Sequence, residues 1–84
     1  MIRETKYCTT EAEAQVDEIR LERITLKETG GEEIRMSWWP EGRFAPRPAD
    51  IEAHKFPALV GAAVAAGVFT EAEKTAMRLA LGEG

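Results

Sequence analysis

The sequence predicts an α+β domain. A small antiparallel sheet of two or three strands, with a hairpin at about 19–39, packs on two C-terminal helices at about 57–67 and 71–81. Three observations carry this. Ala58–Phe69 reads ALVGAAVAAGVF, a run with no polar side chain. Thr70-Glu71-Ala72-Glu73 has the form of a helix-capping box. Between Ile19 and Trp39 the apolar residues recur at every second position around a Gly-Gly turn.

Taken in order, Met1–Thr10 holds Ile2, Tyr7 and Cys8 among β-formers, enough for a short strand. Thr10-Glu11-Ala12-Glu13 repeats the tetrad at 70–73, and Ala12, Val16 and Ile19 follow at helical spacing. That spacing predicts a turn or two of helix from Glu11 to about Asp17.

From Ile19 the period is two. A two-residue Gly30-Gly31 loop would pair Leu26 with Arg35 and place apolar side chains on opposite faces. A three-residue loop, Thr29-Gly30-Gly31 with Gly31 left-handed, pairs Leu26 with Ile34, Ile24 with Met36 and Lys27 with Glu33. The three-residue loop is therefore expected. Ile24, Leu26, Ile34, Met36 and Trp38 then share the face that meets the helices. Leu21 falls opposite Trp39 on the other face, with Ile19 near by.

Pro40-Glu41-Gly42 makes a turn, and the alternate prolines of Arg43-Phe44-Ala45-Pro46-Arg47-Pro48 impose an extended crossover. Asp50 is placed to cap a short turn through His54. Pro57 suits the first turn of the apolar helix, and Gly67 suits the left-handed residue that ends it. Leu59, Val60, Ala63 and Val64 are expected in the core against Trp38 and Ile24. The second helix starts at Glu71 and stops at Gly82.

Eighty-four residues with net charge −4 form a single domain, residues 1–84. The charge is uneven: residues 34–48 carry three arginines against one acid, and the flanking regions are acidic. An acidic balance disfavours nucleic acid and anionic membrane surfaces. The apolar run is too short to span a bilayer. A lone cysteine and an N-terminus without an apolar signal core point to a reducing cytoplasm.

No metal, cofactor or catalytic constellation stands out. His54 is the only histidine, and no acid pair adjoins an apolar pocket. The expectation is therefore a binding protein rather than an enzyme.

The candidate site is Leu21, Trp39, Arg43, Phe44 and Arg47, because arginine stacked on aromatics is an interface device. Its partner is a protein or a second copy of the chain. The opposing possibility is that residues 1–17 fold over Trp39 and make it a core residue.

Two resemblances add to this reading. Ala63-x-x-x-Gly67-Val68 resembles the heart of helix-turn-helix modules, which implies a nucleic-acid-binding regulator as the alternative. The leading residues of its second helix, Glu71 and Glu73, would face phosphate. By size and acidity alone the chain is similar to phage and mobile-element inhibitors such as anti-CRISPR proteins. That likeness implies a host machine as the partner.

Overall fold

The computed structural model describes residues 1–45 and 48–82. Five strands form one antiparallel sheet in chain order: β1 (Arg3–Glu4), β2 (Cys8–Val16), β3 (Ile19–Leu26), β4 (Glu32–Trp38) and β5 (Ala49–Glu52). Two helices follow, α1 (Phe56–Ala65) and α2 (Glu71–Ala80). The α+β class with two C-terminal helices is as the sequence predicts, while the sheet has five strands instead of two or three.

The N-terminal segment supplies two strands, where the sequence suggested one at most. Glu11–Asp17, expected to be a helical turn, lies almost wholly in β2, which pairs with β3 from Cys8↔Leu26 to Val16↔Ile19. The alternation Glu-Ala-Glu-Ala-Gln-Val suits a strand, and Asp17 with a φ of 54° closes a tight turn to β3. A register shift between Thr10 and Ala12 marks a β-bulge. The extra residue changes which side chains face which way. Cys8 and Thr10 therefore share a face with Glu13 and Gln15, and Ala12, Ala14 and Val16 take the other. The short turn through His54 forms as a 3-10 helix, Ala53–Lys55, but Asp50 does not cap it: Asp50 lies in β5 and stands opposite Arg35 in the sheet.

The β3–β4 register also differs from expectation. Thr25 stands opposite Glu32, and the Leu26 N–H donates to the Gly31 carbonyl at 2.9 Å. The loop is thus Lys27–Gly30, and Gly30 (φ 74°), not Gly31, is left-handed. Lys27 pairs with Glu4 instead of Glu33. Leu26 is not beside Ile34. Instead Ile19 meets Trp38, Leu21 meets Met36 and Arg23 meets Ile34. Ile24 and Leu26 point to the opposite face.

The sheet therefore has two unlike faces. One holds the rows Val16–Ile19–Trp38, Ala14–Leu21–Met36–Ala49 and Ala12–Arg23–Ile34–Ile51. It is apolar but for Arg23, yet none of these residues is buried; Val16 is 73% exposed and Trp38 39%. The other face holds Thr10–Ile24–Glu33–Glu52, Glu13–Glu22–Arg35–Asp50 and Gln15–Arg20–Ser37. Among the described residues, all those that are buried, Cys8, Thr10, Glu22, Ile24 and Ser37, lie on this second face.

Long side chains crossing the second face keep water off it. Arg3 reaches Glu13 and Glu22, and Arg35 grips Asp50 through two bonds of 2.8 and 2.9 Å. Such stems cover apolar groups while their charged ends stay paired.

The helices form where the sequence places them. Pro57 lies in the first turn of α1. At its end Val68 N–H reaches the Ala63 carbonyl at 3.0 Å and Gly67 N–H the Val64 carbonyl at 3.2 Å, with Gly67 at φ 78°. This is the Schellman arrangement. Thr70 Oγ1 accepts from Glu73 N–H at 3.1 Å, and Glu73 accepts from Thr70 N–H at 2.8 Å, completing the capping box of α2.

Their packing departs from expectation. No residue of either helix is buried, Leu59 is 53% exposed, and neither Trp38 nor Ile24 is matched by a buried helix side chain. Val60, Val64, Met77 and Leu81 line an apolar groove between α1 and α2. The chain measures 41 × 31 × 23 Å with a Cα radius of gyration of 14.5 Å. A compact domain of this length would have about 12 Å. The helical pair thus extends the molecule instead of capping the sheet.

Candidate functional site

The arginine–aromatic cluster forms at the end of β4, where the chain doubles back. Pro40–Gly42 makes a 3-10 turn with Glu41 (φ 53°) and Gly42 (φ 76°) both left-handed. Gly42 N–H donates to the Trp39 carbonyl at 3.1 Å and Arg43 N–H to the Pro40 carbonyl at 2.9 Å. Ala45 N–H then bonds the Trp38 carbonyl at 2.8 Å. The reversal sets Phe44 edge-on to Trp39, with ring centroids 5.1 Å apart and planes at 70°.

Trp39 is half-buried and fixed from several sides. Its indole Nε1–H donates to Ser37 Oγ at 3.0 Å, and its backbone N–H to the Glu18 carbonyl at 2.7 Å. The Arg20 guanidinium lies 3.9 Å from the ring centroid, a stacked cation. Arg20 is itself oriented by donating from Nε to Gln15 Oε1 at 3.0 Å. Phe44, 45% exposed, and Arg43 face solvent beside this stack.

Of the residues singled out from the sequence, Trp39, Phe44 and Arg43 come together. Leu21 does not: it pairs with Met36 on the apolar face, away from the Gln15–Arg20–Ser37 row on which Trp39 rests. Arg47 lies outside the described residues. Arg20 is the member that sequence reasoning missed. Its signal is parity: once Asp17-Glu18 is read as a two-residue turn, Arg20 and Ser37 share a face. Residues 1–17 do not fold back as a layer over Trp39 but form β1, β2 and the turn after it in the sheet, and the ring meets Arg20, Ser37 and Phe44.

The electrostatics of this side of the sheet are those of paired arginines. The Asp50 carboxylate, through its hydrogen bonds, raises the Arg35 pKa above its ordinary value. Glu13, chiefly through its hydrogen bond, raises that of Arg3. Both cations are held charged as structural ties. Among the described residues no group of three or more His, Cys, Asp or Glu is arranged to hold a metal ion. His54 Nε2 lies 3.6 Å from Glu52 Oε2, and both are exposed. No helix among the described residues is long and apolar enough to cross a membrane.

Comparison of the chain with protein-family models, with curated proteins and with solved structures finds no match.

Proposed function

We propose that this chain acts by binding a protein partner through the Trp39 cluster and performs no catalysis of its own. The observation that carries this reading is the ordering of Trp39. A half-buried ring held by Arg20, Ser37 and Phe44 loses little freedom on binding. Tryptophan and arginine are the residues most enriched at the energetic centres of protein interfaces. The finer proposal, from size and charge, is that the partner belongs to a host machine that a small acidic inhibitor blocks.

The nucleic-acid alternative lacks comparable support. α2 opens with Glu71 and Glu73, and its Lys74 is tied to Glu71 at 2.7 Å.

Capture from a host lysate on the immobilised chain, with mass spectrometry of the retained proteins, tests the reading. Phe44→Ala combined with Arg43→Ala should abolish retention of the specific partner. Because both side chains are exposed, the melting temperature should stay within a few degrees. An unchanged set of retained proteins would remove the cluster from the interface. Retention of DNA that falls steeply with salt would favour the alternative.

A further inference from the structure

Two apolar surfaces of this chain have no cover in a single copy. One is the sheet face centred on Leu21, Met36 and Trp38; the other is the outer side of α1, where Leu59 is exposed. Neither belongs to the Trp39 cluster. We infer that a second copy of this chain covers both, the α1–α2 pair of each copy seated on the apolar sheet face of the other.

The chain exposes 6344 Å². A compact monomer of its 9.3 kDa would expose about 5,000 Å². The excess is about 1,300 Å² per chain, so a pair would remove about 2,600 Å², within the range of obligate homodimers.

Cys8 and Ile24 are the only buried apolar side chains among the described residues. A chain with so little core of its own is stable only when covered, and a second copy is present wherever the chain is made.

A sheet apolar on one side and an uncharged apolar helix, α1, are the two layers of an α+β core. Each copy has both, so one two-fold axis satisfies all four surfaces. The charges where α1 would meet the sheet do not oppose the contact. Phe56–Ala65 carries no charge, and Arg23, the charged residue in the apolar rows, is bound to Glu32 at 2.8 Å.

Sedimentation equilibrium of the full chain is the test, with Leu59→Asp on the helix and Leu21→Asp on the sheet. The wild type should have twice the 9.3 kDa chain mass, and its melting temperature should rise with concentration. Each variant alone should dimerise about 100-fold more weakly, since it buries an unpaired charge.

Refolding the two variants together is decisive. A mixed dimer has one intact seat, the helices of the Leu21→Asp copy on the sheet of the Leu59→Asp copy. It should form even where neither variant folds alone. Three results would overturn the inference: a wild type that stays monomeric up to millimolar concentration, a Leu21→Asp dimer of undiminished affinity, or no mixed dimer. Phe44→Ala with Arg43→Ala should leave the dimer intact, which separates this test from that of the Trp39 cluster.

Discussion

Glu22 lies in the central strand with only 5% of its surface exposed, accepting hydrogen bonds from Thr10 Oγ1 at 3.0 Å and Arg3 Nη1 at 3.2 Å. A buried carboxylate is tolerated only when its oxygens are met in this way. Glu22→Ala would leave the Thr10 hydroxyl buried without its acceptor, while the more exposed Arg3 keeps Glu13 and water. The expected loss is about 1–2 kcal/mol of unfolding free energy, read from urea denaturation. A loss within experimental error would mean that Thr10 finds another acceptor.

The elements show what was legible in the sequence and what was not. The tetrad Thr-Glu-Ala-Glu occurs twice, as a capping box at 70–73 and as strand at 10–13. Local chemistry permits both, and the neighbours decide. At 70–73 the chain enters from Gly67 with its carbonyls already satisfied. At 10–13 the alternation continues through Ala14 and Val16 to a turn and a pairing strand. The two threonines therefore do different work. Thr70→Ala removes a cap and should cost about 1 kcal/mol, seen as a lowered melting temperature with loss of helical signal first. Thr70→Asp should restore most of it.

The hairpin register was harder to read because β3 is apolar on both faces, Ile19 and Leu21 on one and Ile24 and Leu26 on the other. β4 offers a single apolar set, and either pairing looks sound from sequence. Trp39 and Phe44 were legible as a cluster because turn chemistry at Pro40-Glu41-Gly42 is local. Arg20 was not, because its place depends on a hairpin whose first strand also has the apolar spacing of a helix.

At the scale of the molecule, stability is concentrated in the sheet. β3 is flanked by β2 and β4 along most of its length, and it contributes Ile24, which is fully buried. β1 has two residues and hangs on one edge. Amide exchange should therefore be slowest in β3 around Glu22–Ile24 and fastest in β1. Equal protection across β1 and β3 would contradict this distribution of the core. The helices were predicted as elements from their caps, which are local. Their seat was not legible, because a run apolar on every side records that it must be covered and not by which surface.

The order of the strands also bears on how fast the chain finds its structure. Each strand lies beside the one that precedes it in sequence, and the turns between β2, β3 and β4 are short. The pairings of β2 with β3 and of β3 with β4 therefore close small loops, and little chain entropy is lost before the contacts that compensate it are made. β-proteins fold slowly when their partners are distant along the chain, and this one has near partners throughout. The sheet should assemble hairpin by hairpin on the order of milliseconds, with folding rates sensitive to the turns at Asp17-Glu18 and Lys27–Gly30 and indifferent to the helix caps.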